Sequence, residues 1–378
     1  MTTLQQKFSP DKNVYEAAQE RISFIFDNYE KVIVSISGGK DSTVLAWLAV
    51  QEAKKRNRRV GMFFLDEEVV YGSTIKQVEY LMSLSPEHIE PMWFQIPFAL
   101  TNSISKSESQ LITWEESKRP TWMRKNKRAN AIKHPTWGDD VKIADKEVGF
   151  RFYDVIPAFE STHHNTAFLV GLRADESLNR YRAMVKNPVN VNGDDVYYAT
   201  KRCNNNITFY PIYDWAFSDV WKVIAMNDIK YSKLYDWQHM LGMGVNEMRC
   251  SSLIHEKSFK SICELPNFEP KTYQKLLKRI KGVSFAQETG KDSKMFACRT
   301  LPNNFKNWID YRDYLLETYP IEEQKARFVK RFAKQLVNNY VCRQQCRQMI
   351  LGDYENNLPV VNIEDPRDLK IQLYKEIF

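Results

Sequence analysis

The sequence lacks several features that would fix a protein's class at once. No stretch of its 378 residues approaches the ~18 uninterrupted apolar residues of a membrane span, so no membrane association is expected. The leading residues, Met1 to Asp11, are polar and carry no apolar signal-peptide core, which makes a cytoplasmic location the expectation. Cysteine is scarce. Six residues (Cys203, Cys250, Cys263, Cys298, Cys342 and Cys346) are too few for a disulfide scaffold in a chain this long. No pair has C-x-x-C spacing, so neither a zinc ribbon nor a thioredoxin-like motif is written here. Internal repeats and low-complexity tracts are absent as well.

What is there reads as an ordinary folded chain. Apolar residues make up 43%, charged residues 27% and aromatics 13%, which argues against large-scale disorder. A formal charge of +7 suits an anionic ligand or nucleic acid. Spread over this length it is mild, and a solvated basic surface explains it equally well.

The apolar pattern alternates between two periods. Residues 13–30 have helical spacing, and Val32-Ile33-Val34-Ser35-Ile36 follows as a short β-branched run without polar alternation. That is how a strand buried on both faces of a parallel sheet looks. Thr43 to Lys54 is helical, Val60 to Leu65 is a second buried strand, Ser73 to Leu84 a second helix, and Met92 to Ile96 a third strand. Residues 98–150 break the rhythm; they hold Trp114, Trp122 and Trp137 and are basic around Arg119 to Lys133, as a functional loop or lid would be. A strand at Ala167 to Val170, a hairpin around Asn192-Gly193-Asp194, a strand at Ile207 to Ile212 and a helix from Asp219 to Asn227 capped by Ser218 complete the pattern. The expected fold is α/β, a doubly wound parallel sheet in residues 1–230, with a mainly helical region in 231–378.

The most informative segment is Ser37-Gly38-Gly39-Lys40-Asp41-Ser42, placed between a buried strand and a helix. Two glycines let the backbone approach an anion and adopt positive φ without a Cβ clash. N–H groups at the helix start, with the helix dipole behind them, hold phosphate oxygens. Ser37 and Ser42 add hydroxyls, Lys40 adds charge, and Asp41 takes an orienting or magnesium-linked role. The spacing is not that of a Walker A loop. Asp66 stands at the carboxyl edge of the second strand, where open α/β sheets bind ligands. Gly171-Leu172-Arg173 leaves a strand at the same edge. Glu176 and Arg180 are i,i+4 neighbours beyond it, so two guanidinium forks suit phosphate or sulfate.

Ser37 to Ser42 resembles, at every specified position, the S-G-G-x-D-S signature of the PP-loop ATP pyrophosphatases, whose fold is the adenine nucleotide alpha-hydrolase type. The Gly171–Arg180 segment resembles the G-x-R-x-x-E-S-x-x-R stretch of phosphoadenosine phosphosulfate reductases and the sulfate adenylyltransferase small subunit. Tyr210 to Trp221 resembles a P-x-x-x-W-x-x-x-D-V-W stretch of the same relatives; there Trp215 and Trp221 are read first as core. With Asn13 to Ala18 and the helical end, the similarity covers about residues 12 to 350 and points to the branch that includes the immunoglobulin-binding regulator A type. The resemblance implies ATP with Mg2+ as ligand and an unidentified acceptor. It implies binding by Ser37, Gly38, Gly39, Lys40, Asp41, Ser42, Asp66, Gly171, Arg173, Glu176 and Arg180, with Lys40, Asp41 and Arg173 in the chemistry. It also implies a ParB-like protein partner.

One departure matters. The reductases carry a redox cysteine in a C-terminal tail, whereas the last cysteine here is Cys346, so thiol-dependent reduction is not expected. Cys342 and Cys346 are i,i+4 on an expected helix; an ordinary semi-buried pair is the preferred reading over an iron–sulfur site. His163-His164 reads as structural. Three functions follow. The first is ATP cleavage between the α- and β-phosphates, with residues 113–133 closing over the acceptor. The second is base modification of nucleic acid, with tryptophans stacking on bases. The third is a nucleotide-sensing regulatory subunit acting through a ParB-like or DNA-bound partner.

Overall fold

The structure is a computed structural model. It describes residues 12–105, 108–125, 128–135, 150–176, 180–181, 188–244, 248–250, 252–255, 258–284, 301–354, 356 and 360. Expectations that concern Trp137, Lys127, Ser177 to Asn179, Cys298 and the N-terminal eleven residues lie outside the described residues. The chain divides into two compact units, residues 1–100 with 112–252, and residues 101–111 with 253–378.

The first unit is built on a six-stranded sheet. Its strands are β1 (Lys31–Ser35), β2 (Val60–Leu65), β3 (Ile89–Phe94), β4 (Thr166–Val170), β7 (Ala199–Lys201) and β8 (Ile207–Phe209). The order across the sheet is β3-β2-β1-β4-β8-β7. All neighbours are parallel except β8 with β7. A separate hairpin, β5 (Val189–Val191) with β6 (Asp194–Val196), turns at Asn192-Gly193 as its sequence predicts.

The continuous apolar runs are explained by burial on both faces. Val32, Val34, Met62, Phe64, Ala167 and Leu169 enter one core, while Ile33, Phe63, Leu65 and Phe168 enter the other. The larger core is covered by α1 (Val14–Asn28), α2 (Lys40–Lys55) and α3 (Gly72–Ser83), with α5 (Phe217–Met226). The smaller is covered by α4 (Phe152–Ser161). Asn13 starts α1 through a capping box with Glu16. Strand order reverses at β1, since β2 lies on one side of it and β4 on the other. This switch point lies at the carboxyl rim, where loops leave both central strands.

Two local expectations need correction. Ser218 does not cap α5: it lies within the first turn, and the Ala216 N–H donates instead to Asp219 Oδ2 at 2.7 Å. A carboxylate three residues on reaches that orphan N–H where the serine hydroxyl does not. The strand from Ile207 stops at Phe209, because Tyr210 to Asp214 forms a turn. Trp215 is core, and Trp221 is half-buried against Tyr231 and Tyr235.

The second unit is helical in its described residues from 258 onward, while its segment 101–111 begins and ends in the short paired strands Ala99–Thr101 and Gln110–Ile112. It contains α7 (Phe259–Phe268), α8 (Pro270–Arg279), α9 (Trp308–Glu317), α10 (Glu322–Phe332) and α11 (Asn339–Leu351). Tyr319, Phe328, Phe332, Met349 and Tyr354 form its core, with the Tyr319 and Tyr354 hydroxyls 3.0 Å apart. Cys342 and Cys346 are buried on α11, and the Cys346 Sγ lies 3.9 Å from the Trp308 carbonyl.

Candidate functional site

The bend after β1 starts where Ile36 N–H still pairs with the Phe63 carbonyl. Gly38 then takes φ +75°, a conformation that disfavours a side chain, and a Cβ there would meet Thr74 at 3.0 Å. Gly39 is different. Its φ of −78° suits any residue, and the requirement is steric, because a Cβ would lie 3.0 Å from Cys250 Sγ. Gly171, leaving β4, completes the close packing: a Cβ would come within 3.1 Å of the Ser42 amide nitrogen.

The two serines hold the bend itself. Ser37 N–H donates to Ser42 Oγ at 3.2 Å, Gly39 N–H donates to Ser37 Oγ at 3.3 Å, and Ser42 Oγ–H donates to the Gly39 carbonyl at 3.1 Å. Ser37 is exposed, whereas Gly38, Gly39 and Lys40 are buried.

Charge converges on Asp41. Arg173 Nε donates to Asp41 Oδ1 at 2.5 Å, and Lys40 Nζ donates to Asp41 Oδ2 at 2.9 Å. Both carboxylate oxygens are therefore engaged by cations, an arrangement that orients Lys40 and Arg173. Arg173 also donates to the Trp215 carbonyl at 3.2 Å and lies 3.8 Å from Glu176, which in turn pairs with Arg180. Burial lowers the Arg180 pKa, and repulsion from Arg173 and Arg249 adds to that, against attraction to Asp41. Ten of the expected site residues thus meet at one place: Ser37 to Ser42, Gly171, Arg173, Glu176 and Arg180.

Asp66 is placed on the same rim but in a network of its own. It is fully buried, accepting from Trp93 Nε1 and Gln95 Nε2 at 2.9 Å each, from Glu68 N–H at 3.0 Å, and from Arg124. These partners all lie outside the glycine bend. Trp114 joins them, its indole N–H donating to the Asp66 carbonyl at 2.8 Å and its backbone N–H to Glu68 at 2.7 Å. The Arg124 guanidinium stacks 4.9 Å from the Trp114 ring. Trp114 and Trp122 are therefore core residues with no ring face available to a base, which corrects the stacking role expected of them. Beside Asp66, burial and that residue's charge push the Glu67 carboxyl up to about 7.

Several residues at the bend carry no motif. The Lys40 backbone N–H donates to the Tyr235 hydroxyl at 3.0 Å; Tyr235 belongs to α6 (Leu234–Met240). Lys40 Nζ lies 5.3 Å from the Phe217 ring centroid and 5.6 Å from that of Tyr235. Cys250 Sγ lies 3.7 Å from the Ser37 carbonyl, and burial pushes its thiol pKa up. His163 bonds the Phe159 carbonyl and packs against Phe159 and Phe168, a structural arrangement. Among the described residues no group of three or more His, Cys, Asp or Glu is placed to hold a metal, and no helix is long and apolar enough to cross a membrane.

A doubly wound sheet with a diglycine bend at its switch point, backed by a lysine and an arginine, defines an α/β protein of the PP-loop class. The chain belongs to the phosphoadenosine phosphosulfate reductase domain family, whose model matches residues 31–269. A domain of unknown function (DUF3440) matches residues 242–346. The uncharacterized protein YbdN of Escherichia coli (strain K12) is 27% identical over 315 residues, 82% of this chain and 76% of that protein. Among solved structures, the phosphoadenylyl-sulfate reductase of Candida auris is similar at 12% identity and a TM-score of 0.34, over 58% of this chain and 84% of that one. The U34-tRNA thiolase NcsA of Methanococcus maripaludis is similar at 13% identity and a TM-score of 0.32, over 77% of this chain and 84% of that one.

Proposed function

We propose that this protein binds Mg-ATP at the Ser37–Ser42 bend and cleaves it between the α- and β-phosphates, passing AMP to an acceptor or to water. The observation that carries the reading is the convergence of Lys40 and Arg173 on Asp41 at the switch point of the sheet. An anion entering there meets two nearly buried cations already aimed at one locus. In this reading the oxygen of the acceptor attacks the α-phosphorus as the bond to the bridging oxygen of the leaving pyrophosphate breaks. Lys40 and the bend amides stabilise charge developing on that pyrophosphate, and Arg173 and Arg180 hold the α-phosphate or an oxyanion acceptor. Asp41 orients both cations, and Mg2+ enters with the nucleotide's phosphates. The family's named substrate, phosphoadenosine phosphosulfate, is an adenine nucleotide derivative, which supports a ligand of this class. Thiol-dependent reduction is not part of the proposal. Cys250, the cysteine at the bend, is held by Tyr235 and Ser37 and is disfavoured as a thiolate by burial.

Incubation with α-labelled ATP and magnesium tests the proposal. Pyrophosphate with AMP or an adenylate is expected, and Lys40→Ala should abolish it. ADP and phosphate as sole products would overturn it. One observation favours the second reading, a nucleotide sensor working with a ParB-like or DNA-bound partner: Gly38, Gly39 and Lys40 are covered by side chains. Tight nucleotide binding without turnover is the outcome expected of a sensor. The base-modification reading loses the stacking faces of Trp114 and Trp122 and keeps only the basic residues beside them.

A further inference from the structure

The covering of the bend has a specific form. Lys40 N–H donates to Tyr235 Oη at 3.0 Å, the Tyr235 hydroxyl hydrogen-bonds to Cys250, and Cys250 Sγ–H points to the Ser37 carbonyl at 3.7 Å. The chain of donors runs out from one end of the bend and returns to the other. The two outside members are tied together: the Gln238 carboxamide, on the same helix as Tyr235, accepts from Arg249 N–H at 3.0 Å and donates to the Arg249 carbonyl at 2.8 Å. Gln238 is fully buried, so α6 and the backbone just before Cys250 are held as one piece.

Lys40 is the first residue of α2, and its N–H is one of the orphan donors that a helix start offers to an anion. We infer that Tyr235 and Cys250 form a latch in which a neutral hydroxyl occupies the Lys40 amide, and that the phosphate of an incoming nucleotide releases the latch by displacing that hydroxyl. This rests on the proposed nucleotide site and adds how access to it is controlled. The exchange runs in the direction of the stronger partner. A phosphate oxygen carries charge, gains from the helix dipole and forms hydrogen bonds about twice as strong as a neutral oxygen does. The hydroxyl remains neutral at working pH, because burial raises the Tyr235 pKa well above its ordinary value. Gly39 fits the same account, since a side chain there would crowd Cys250 Sγ at 3.0 Å and rest against the Tyr235 hydroxyl rather than strain the backbone.

The test uses the full chain and a non-hydrolysable ATP analogue with magnesium in a calorimeter. Tyr235→Phe keeps the ring over Lys40 and removes only the hydroxyl, so binding should tighten roughly three- to tenfold, the worth of one hydrogen bond no longer contested. Cys250→Ala, which cuts the far end of the latch, should tighten binding by a smaller factor. An independent readout is alkylation of Cys250 followed by mass spectrometry on the wild-type chain. Adding the analogue should speed the modification several-fold, because the half-buried thiol loses its contacts with Tyr235 and the Ser37 carbonyl. Wild-type binding that is unchanged or weakened in Tyr235→Phe, or an analogue that protects Cys250, would overturn the latch while leaving the nucleotide site intact. Absence of binding in both wild type and Tyr235→Phe would remove the nucleotide site and the latch together. Binding seen only in Tyr235→Phe would establish the latch in its strongest form.

Discussion

Replacing Asp41 by asparagine keeps the side-chain volume and removes the charge that Lys40 and Arg173 share. The Lys40 side chain is 7% exposed and that of Arg173 3%, so neither cation regains much water when the carboxylate is lost. Removing one partner of a buried ion pair costs about 3–5 kcal/mol. Arg173 keeps the Trp215 carbonyl at 3.2 Å and Glu176 at 3.8 Å, which places the expected loss at the lower end, about 3 kcal/mol. For a domain of 150–250 residues, each kcal/mol moves the melting temperature by about 2–4 °C, so a fall of about 6–12 °C is expected. Differential scanning calorimetry reads this directly. Pyrophosphate sharpens the test, because an anion lodged between Lys40 and Arg173 replaces the missing carboxylate. It should therefore raise the melting temperature of the variant more than that of the wild type. A variant within about 0.5 kcal/mol of wild type, with no extra response to pyrophosphate, would refute the account of Asp41 as the organiser of the two cations.

Four further substitutions probe other parts of the rim. Gly38→Ala should destabilise by about 1–3 kcal/mol, because φ +75° and the contact with Thr74 penalise any side chain. Gly39→Ala should be rescued by adding Cys250→Ala, since its obstacle is the sulfur; urea titration of the four-member cycle checks both, and additive losses would sink the steric reading. Glu67 has a folded-state pKa pushed up from 4.5 to about 7, so the stability it contributes is fully present below pH 4.5 and is lost as pH rises through about 7. Glu67→Gln should flatten the decline in stability across that window, and a pH series of denaturation midpoints that parallels wild type would contradict the assignment. Trp114→Phe removes the indole donor from the buried Asp66 carbonyl and should cost about 1–3 kcal/mol, read by urea denaturation; a neutral substitution would show that the bond carries no net stability.

How much of this was legible in the sequence depended on the range of the interactions. β2 is found at Val60–Leu65 as expected, because a strand buried on both faces must be apolar at every position. The pairing of Arg173 with Asp41 was not specified residue by residue. The motifs nevertheless placed both at one rim, because strands that leave a parallel sheet together deliver their loops to the same end. Ser218 misled because serine is a common N-cap; here Ala216 holds the N-cap position and the Asp219 side chain accepts its N–H. The tryptophans misled because an aromatic amid basic residues has the same composition whether its ring faces solvent or core.

The alternation of strand and helix, the diglycine bend between them and the family that bend belongs to were all readable along the chain. All of these depend on neighbours a few residues apart. What covers the bend came from packing. Tyr235 lies 195 residues from Lys40 and Cys250 lies 213 from Ser37, and no periodicity or spacing connects them. It also decided that Asp66 is enclosed by Trp93, Gln95, Glu68 and Arg124. Hydrogen bonds between residues so far apart are set by how helices and loops pack on the finished sheet, and that packing has no local signature in the chain.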